Sequence, residues 1–381
     1  MIFNKTGKLI ESHFVIGRDK LEGVRTYIYL GIEITANGSF EGAVKRLCDK
    51  ARKALGRLKK LFFVGEVNSK FFINLFQKVI MPIFMYACEV WGAYTTLPSK
   101  CLSNDSITGY FKFEYEKFFI SFLKQCLGVH RKASNIAVLG ELGQQPVSLK
   151  IMRMVCKNWF RIVNLPPDSL LYDAYLCNLT MFSEGKSTWL QTVSDTLHGI
   201  NLQHLWDNCG NRSGHFPDKL LKKRFETKFL DQWKNEICLN EDQDKKLRNY
   251  VRFKNEFRFE NYIHIVKDFT VRKNITRLRI IAYNLAIEKG RHKRPTKVPL
   301  EQRLCENCNV LEDEFHFVLG CTKFKEPRQK MLNSLQEIFG DLHMYSDWEK
   351  FLFIMNSLDY DVIRKFSVFM KAAIDIRGQS L

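Results

Sequence analysis

The chain has 381 residues, 45% of them apolar and 26% charged. This is a globular composition with room for roughly two or three folding units. It contains no run of about 18 apolar residues of the kind that spans a membrane, and its start, MIFNKTGKLI, does not read as a signal peptide. The formal net charge of +18 favours nucleic acid as a partner, the alternative being a protein that is merely soluble and basic.

The 11 Cys residues are an odd number, and outside 305–321 no two of them are closely spaced. In a chain without a signal peptide this pattern predicts reduced thiols, most of them in the core of an intracellular protein. We expect no membrane partner and a location in the cytoplasm and nucleus.

The first 36 residues contain short apolar or alternating pieces, FVIG and TYIYLGIEIT, and the turn ANG, which are typical of strands. After these residues the spacing of the apolar residues changes. They recur every three or four positions, as they do on the buried stripe of an amphipathic helix. This pattern predicts a helix over 40–63, with a stripe formed by Phe40, Val44, Leu47, Ala51, Ala54, Leu58 and Leu61.

The other positions of this predicted helix carry charges of nearly one sign. Only Glu41 and Asp49 oppose its basic residues, whereas a solvated helix face usually mixes signs. A face of one sign is a better candidate for contacts with phosphate groups. The candidate residues are Lys45, Arg46, Lys50, Arg52, Lys53, Arg57, Lys59 and Lys60.

Helical periodicity continues along the chain. It predicts helices at 68–92, about 110–128, about 146–163 and near 346–377, with breaks near Pro82, over 94–109 and near Gly128. The stretch 165–215 is less periodic, which predicts short helices and loops with a boundary near 205–216. The fold is therefore expected to be mainly α, with a small β piece at the N-terminus.

The segment 219–297 is strongly basic, with 22 Lys and Arg against 10 Asp and Glu. Aromatic residues interleave with these charges. In one interpretation, rings and charges together grip a single strand of nucleic acid, whose bases stack on flat side chains. In the other, the rings are the buried stripe of helices with a basic outer face. The rings are Phe225, Phe229, Trp233, Tyr250, Phe253, Phe257, Phe259 and Tyr262.

Three Cys and one His near the C-terminus have the spacing of a zinc site. Cys305 and Cys308 form a C-x2-C pair, and His316 and Cys321 follow on a helix-like segment. Zn²⁺ favours four Cys and His ligands in a tetrahedron, and a complete set of four predicts a closed, structural site. A chance grouping and a disulfide are the alternatives.

Basic residues surround this cluster. A closed zinc site ringed by positive charge often presents a surface to nucleic acid, although it can also simply pin a C-terminal lobe onto the rest of a protein. The candidates for nucleic-acid contacts in this part of the chain are Arg279, Arg291, Lys293, Arg294 and Arg303.

Several of these features occur in the same order in one family. MIFNKTGK followed by TYIYLGIEIT resembles the end of the reverse transcriptase palm in LINE-type (non-LTR) retrotransposons, where a strand with a Y-L-G turn forms the primer grip. The helix KRLCDKARKALGRLKK and the pattern P-x-x-x-Y-x-x-E-x-W resemble the thumb of that family. The primer-grip positions are Tyr29, Leu30 and Gly31, and the thumb pattern is filled by Pro82, Tyr86, Glu89 and Trp91.

The resemblance extends from residue 1 to about 330. LGVHRKASNIAVLGELGQQP resembles the segment after the thumb, and TRLRIIAYNLAIEKGRHKRP with RLCENC and EDEFHFVLGC resembles the zinc-knuckle region. The resemblance implies five parts. A palm remnant with the primer-grip strand lies at 1–36, a helical thumb and post-thumb segment at 37–150, and a helical basic connector at 151–297. A CCHC zinc knuckle in a small zinc-stabilised lobe follows at 298–335, and a C-terminal helix at 336–381.

The chain departs from the family at the catalytic motif. Polymerases of the family carry Y/F-A-D-D, because two metal ions at the growing strand need paired carboxylates, and this chain has no two adjacent Asp residues. The resemblance therefore implies the C-terminal part of a reverse transcriptase (an RNA-directed DNA polymerase), which holds RNA template and DNA primer or target, binds structural Zn²⁺ and does not polymerise alone. Two alternatives stay open: a truncated gene product of an active enzyme, and a host-derived zinc module that contacts proteins.

We predict no catalytic residues. The remaining His residues are scattered, without a Cys or Ser nucleophile nearby, and GELGQQP lacks the Lys of a phosphate-binding loop. Asp341, Asp347, Glu349 and Lys350 do not make a convincing D…E-x-K nuclease set. With strands that lack neighbours, 1–36 is expected to be the least stable part of the chain.

Overall fold

The computed structural model describes residues 1–10, 14–61, 68–95, 102, 107–208, 216–239, 246–293 and 295–378. The chain is mainly helical with a small β piece at its N-terminus, which confirms the predicted fold class at that level. It divides into two compact units. The first unit is Met1–Lys60, Leu75–Phe119 and Gln145–Gln232, and the second unit is Leu61–Asn74, Ile120–Gln144 and Trp233–Leu381.

The β piece consists of two antiparallel hairpins. Strands β1 (Val15–Ile16) and β2 (Asp19–Lys20) form the first, and β3 (Thr26–Tyr29) and β4 (Ile32–Thr35) form the second, in which Tyr29 pairs with Ile32. The two-residue loop of the second hairpin is Leu30–Gly31, and both residues have positive φ, 46° and 82°. Two positive φ values in a two-residue loop are the geometry of a type I′ turn, whose twist matches that of the strands.

The helices, in chain order, are α1 (Glu41–Leu61), α2 (Ser69–Leu75), α3 (Met81–Phe84), α4 (Cys88–Thr95), α5 (Glu114–Leu127), α6 (Asn135–Leu142), α7 (Val147–Val163), α8 (Leu170–Ser183), α9 (Trp189–Gly199), α10 (Gln203–Asp207), α11 (Asp218–Cys238), α12 (Tyr250–Phe253), α13 (Asn261–Ile265), α14 (Phe269–Arg279), α15 (Ala286–His292), α16 (Lys325–Phe339), α17 (Asp347–Asn356) and α18 (Tyr360–Gly378). Short 3-10 turns lie at Ile107–Lys112, Leu300–Gln302, Thr322–Phe324 and Leu342–Met344, and π-helical turns at Phe76–Ile80 and His316–Gly320.

Helix α1 has the amphipathic character that the sequence predicts, with a slightly different buried stripe. Val44, Leu47 and Ala51 are buried as expected, and Cys48 and Leu55 join them. The predicted stripe extends too far, because Leu61 at the end of the helix is 76% exposed.

The predicted break near Pro82 is confirmed, although Pro82 itself does not make it. Pro82 lies in the first turn of α3, directly after the π-helical turn, where a missing backbone N–H does least harm. The helix instead breaks at 85–87, where Ala87 has a φ of 55°. The predicted break near Gly128 is confirmed, because α5 ends at Leu127 and Gly128 has a φ of 66°.

Two other helices differ from the sequence prediction for a common reason. Helix α8, within the stretch expected to hold only short helices and loops, has 14 residues, and it exposes Leu170, Leu171 and Leu176. Helix α6 was not predicted, and every residue from Ile136 to Leu142 is buried. Neither helix has a clean apolar and a clean polar face, so neither has the period by which helices are recognised in a sequence.

The first unit has close helix packing and an aromatic core. A Cβ on Gly92 of α4 would lie 2.5 Å from a methyl carbon of Ile151 on α7, so only glycine allows this approach. Phe76, Phe84 and Phe118 form a ring cluster, with centroids 5.6 to 6.3 Å apart. Burial of such large rings supplies much of the driving force for folding.

The aromatic residues of the basic segment 219–297 are mostly buried, which decides between the two interpretations above. In the second unit, the Trp233 indole N–H donates to the Ile136 carbonyl at 3.1 Å, and the Tyr250 hydroxyl donates to the Ala137 carbonyl at 3.2 Å. These rings are core residues rather than a stacking surface. Phe225, Phe229, Phe253 and Tyr262 are also buried, and Phe257 and Phe259 are half-buried.

Among the described residues, no single helix is both long and apolar enough to cross a membrane. One pair of segments, Ser69–Phe84 and Cys88–Tyr94, passes the same test of length and composition together, with a bend of 74° between them.

Candidate metal centre and basic surfaces

The four predicted ligands come together in the second unit. One ligand atom from each of Cys305, Cys308, His316 and Cys321 can be chosen so that all four lie within 4.8 Å of one another. The Cys321 sulfur lies 3.8 Å from the Cys305 sulfur and 3.9 Å from the Cys308 sulfur. Zinc–sulfur bonds of about 2.3 Å in a tetrahedron put two sulfurs about 3.8 Å apart. The cluster could therefore hold a metal ion, and its donors and spacing are consistent with zinc.

A short turn aims the first two sulfurs. The Cys305 N–H donates to the Val310 carbonyl at 2.7 Å, and the Asn309 N–H donates to the Cys305 carbonyl at 2.9 Å. Asn309 has a φ of 53°, a left-handed conformation that Asn tolerates better than most residues. The turn brings Cys308 back beside Cys305.

A π-helical turn, not a regular helix, supplies the other two ligands. Asp313 accepts the His316 N–H at 2.8 Å, and the Cys321 N–H closes the turn on the His316 carbonyl at 2.7 Å. The His316 Nε2 atom is buried and has no hydrogen-bond partner within the described part of the chain. A bare buried nitrogen is costly unless something binds it, and a metal ion would do so.

Thr322 stabilises one of the sulfurs. Its backbone N–H donates to the Cys308 sulfur at 3.3 Å, and its hydroxyl oxygen lies 3.1 Å from the same atom. These contacts lower the pKa of the Cys308 thiol. Donors pointing at sulfur favour the thiolate form, which is the form that binds metals.

The primer-grip positions lie at an exposed turn that is tied to the thumb pattern. Leu30 and Gly31 form the loop of the second hairpin, and Leu30 is 73% exposed. The Tyr86 hydroxyl donates to the Leu30 carbonyl at 3.0 Å, and the Trp91 indole N–H donates to the Tyr86 carbonyl at 2.8 Å. Both motifs of the resemblance therefore meet in the first unit.

The basic residues of α1 are mostly exposed. Arg52 and Lys59 are the exceptions, because both are half-buried, and Arg52 pairs with Asp49 at 2.8 Å and with Glu114. Arg46 makes one ion pair, at 3.5 Å from Glu33. The exposed basic residues are Lys45, Arg46, Lys50, Lys53, Arg57 and Lys60.

Three of the residues expected to contact nucleic acid are instead buried in the second unit, which corrects the sequence prediction. Arg279 is 4% exposed, and its Nε lies 2.8 Å from Glu141. Arg291 pairs with Glu288 at 2.6 Å, and Arg303 donates to backbone carbonyls. Their charges are used inside the protein, because a buried guanidinium needs close partners.

Of the remaining two candidates, Lys293 is exposed and Arg294 lies outside the described residues.

Sequence reasoning missed a basic cleft of about 510 Å³ in the second unit. Its wall includes His130, Arg277, Lys289, His292 and Arg377. They come from three segments that are far apart in the sequence. Lys289 and His292 belong to the basic run KGRHKR at 289–294, but no local pattern links them to His130 or Arg377. Two of these segments belong to stretches that carry the family resemblance. That resemblance was the one feature of the sequence that could have pointed to these residues.

The chain matches no protein-family model, no curated protein and no solved structure. Its function is therefore inferred from its own residues: the four-ligand cluster, the basic face of α1 and the basic cleft.

Proposed function

We propose that this chain binds nucleic acid, as the part of a LINE-type reverse transcriptase that holds template RNA and primer DNA. The observation that carries the proposal is the exposed face of α1. Arg46, Lys50, Lys53, Arg57 and Lys60 follow one another at intervals of three or four residues, so they share one side of the helix.

This face is opposite to the buried stripe of α1, which fixes the helix to the first unit. From Arg46 to Lys60 it extends about 20 Å, at about 1.5 Å per residue. Each strand of DNA has one phosphate per about 3.4 Å of helix axis, so the face can contact several of them. Each contact releases counterions, which makes binding strong at low salt and little dependent on sequence.

The four-ligand cluster supports the same proposal, with Zn²⁺ as its ion. Three sulfurs and one imidazole are the donors that zinc prefers, and four protein ligands leave no open position for a substrate. The zinc role is therefore structural, holding Cys305–Cys308 to the π-helical turn at His316. By the resemblance, the lobe so formed is the zinc knuckle, which acts in template binding.

The chain is proposed to hold nucleic acid without polymerising it. Metal-dependent strand synthesis needs paired carboxylates for two ions, and the sequence has no adjacent Asp pair. A primer-extension assay on the purified chain is expected to show no synthesis.

The test of the proposal is a salt titration of binding. Fluorescence anisotropy with a short RNA–DNA hybrid, from 50 to 200 mM salt, should show affinity falling steeply as salt rises, by roughly a thousandfold for six contacts. Replacing Lys50, Lys53 and Arg57 with Gln should weaken binding. It should also reduce the slope of the logarithm of affinity against the logarithm of salt concentration by the contribution of up to about three phosphate contacts.

A matched control removes the same number of positive charges from another helix. Lys219, Lys223 and Arg224 are exposed on α11, also in the first unit. Changing these three residues to Gln should leave the affinity for the hybrid and its dependence on salt nearly unchanged. Equal effects of the two triple variants would contradict the assignment to α1, and the absence of salt-dependent binding would contradict nucleic-acid binding itself.

A further inference from the structure

The basic cleft of the second unit is built from parts that meet only in the folded chain. His130 follows α5, Arg277 is in the last turn of α14, Lys289 and His292 belong to α15, and Arg377 is near the end of α18. The cleft of about 510 Å³ lies within the range of about 300–1,000 Å³ typical of small-ligand sites.

The acidic groups near this cleft are already engaged. Glu288 lines it, but its carboxylate lies 3.1 Å from Arg248 Nη1 and 2.6 Å from Arg291 Nη2. Glu312 pairs with Arg377 at 3.0 Å. These carboxylates therefore leave the positive charge of Arg277 and Lys289 uncompensated.

Arg277 has an unmet hydrogen-bonding group. Its Nη2 donates to the Gly128 carbonyl at 3.3 Å, while its Nε is buried and has no partner among the described residues. A guanidinium presents its N–H groups in a fork that matches phosphate oxygens. Arg277 also lines the cleft, so its guanidinium is a candidate partner for an anion bound there.

A strained residue directly precedes Ala282, which lines the cleft. Ile281 has a φ of 56°, a conformation that a β-branched residue rarely adopts. It lies two residues after α14, where the Ala282 N–H donates to the Arg277 carbonyl at 2.7 Å. Strain of this kind persists where surrounding structure imposes it, and it is frequent at ligand-binding sites.

Positive groups crowd one another around His130. Burial lowers the pKa of His130, and Lys246, Arg277, His292 and Lys124 lower it further. Burial likewise lowers the pKa of His292, with Arg291 adding to the effect. A bound anion would relieve this repulsion.

We propose that this cleft binds one phosphate-bearing unit of a single-stranded nucleic acid. The anionic character of the ligand follows from the charges of the cleft, whereas its identity as a nucleic-acid strand rests on the proposed function. A single strand is the form whose separate units can enter a cleft, while duplex phosphates lie on an outer, convex surface. Asn274 and Asn284 line the same cleft and offer amides to a sugar or base.

The test uses the full chain loaded with zinc. Isothermal titration with adenosine 5′-monophosphate should show binding at least tenfold tighter than with adenosine. A single-stranded oligonucleotide should compete with the monophosphate better than the same sequence as a duplex.

A pair of variants places the binding in the cleft. Lys289→Gln removes an exposed cleft charge without removing a core contact. It should weaken binding of both the monophosphate and the oligonucleotide by about tenfold or more, since a hydrogen bond between charged groups contributes at least that much. The control Lys371→Gln removes an exposed charge from α18, the helix that carries Arg377, but outside the cleft. It should leave both affinities unchanged.

Each other outcome is decisive. If the chain binds oligonucleotide but not the monophosphate, and Lys289→Gln has no effect, the cleft proposal is wrong and the α1 proposal stands. If the monophosphate binds but no oligonucleotide competes, the ligand is not a nucleic-acid strand and the inference is overturned. If neither binds, the cleft proposal is wrong, and the salt titration with the RNA–DNA hybrid decides the α1 proposal separately.

Discussion

The hydroxyl of Tyr86 donates to the carbonyl of Leu30 at 3.0 Å, across 56 residues of sequence. This hydrogen bond holds the loop of the second hairpin against the segment between α3 and α4. Leu30 itself has a φ of 46°, which residues other than Gly, Asn and Asp adopt at a cost. Strain of this kind persists only where surrounding structure imposes it, and the hydrogen bond from Tyr86 is one such restraint.

Removing the Tyr86 hydroxyl should loosen this loop selectively. Tyr86→Phe keeps the ring but loses the hydrogen bond, which contributes about 0.5–1.5 kcal/mol. Amide hydrogen exchange at 26–35 should quicken several-fold, with little change in the melting temperature of the whole chain. The control Tyr94→Phe, at another exposed tyrosine of the first unit, should leave exchange in the hairpin as it was.

Relieving the backbone strain should have the opposite effect. Leu30→Asn creates an Asn-Gly loop, the preferred pair for a type I′ turn, and little burial is lost because Leu30 is 73% exposed. We expect slower exchange in the hairpin, corresponding to about 1 kcal/mol of local stability. Faster exchange would mean that the Leu30 side chain makes a contact that matters more than its φ.

Loss of one cluster ligand should remove the metal. Cys308→Ser should abolish stoichiometric zinc measured by mass spectrometry of the native chain, since three ligands bind zinc far more weakly than four. The same variant, or a chelator, should lower the unfolding temperature, because zinc binding is coupled to folding and contributes on the order of 10 kcal/mol in small zinc domains.

A cysteine outside the cluster is the matched control. Cys177 is an exposed free cysteine of α8 in the first unit. Cys177→Ser should retain full zinc content. A protein that carries no zinc when purified reduced, or loses it equally in both variants, would contradict the metal site.

The buried Arg279 should matter for stability rather than for nucleic acid. Arg279→Met leaves Glu141 without its ion-pair partner, although the Tyr250 hydroxyl still donates to it at 3.2 Å, and removal of one member of a buried pair costs about 3–5 kcal/mol. Urea unfolding should show this loss, and adding Glu141→Leu should restore part of it. Among molecules that remain folded, affinity for an RNA–DNA hybrid should not change.

Glu116 should give the first unit a pH-dependent stability. Its side chain is fully buried, and although one oxygen accepts from the Ser148 N–H at 2.6 Å, the other has no partner among the described residues. Burial raises the pKa of Glu116 to about 7. The folded chain therefore binds a proton more tightly than the unfolded chain, and the resulting stability is lost as pH rises from the unfolded pKa of about 4.3 through about 7.

The variant Glu116→Gln tests this directly. It keeps an oxygen that can accept from Ser148 but cannot ionise, so it should be more stable than the natural chain at pH 8, by about 1–3 kcal/mol, and similar at pH 5. Urea midpoints at the two pH values measure the difference. Glu184→Gln, at an exposed site of the first unit, should behave like the natural chain at both.

The ligand set of the metal cluster could be read from the sequence because it is local. Cys305, Cys308, His316 and Cys321 lie within 17 residues, and their spacing alone limits how the chain can place them. The amphipathic helix α1 was also predictable, since its period shows in every turn. Helix α6 was not, because a helix buried on all sides has no polar face to reveal it.

The sequence by itself determined the mainly helical class, the basic face of α1 and the four ligands, since each depends on periodicity or on short spacing. Only the tertiary structure decided which positive charges lie at the surface, where they can contact a ligand. Arg279, Arg291 and Arg303 look like surface charges in the sequence, but burial beside carboxylates and carbonyls removes them from the surface. His130, Arg277 and Arg377 are far apart in the sequence and meet in one cleft, because packing brings distant segments together in a way that no local pattern encodes.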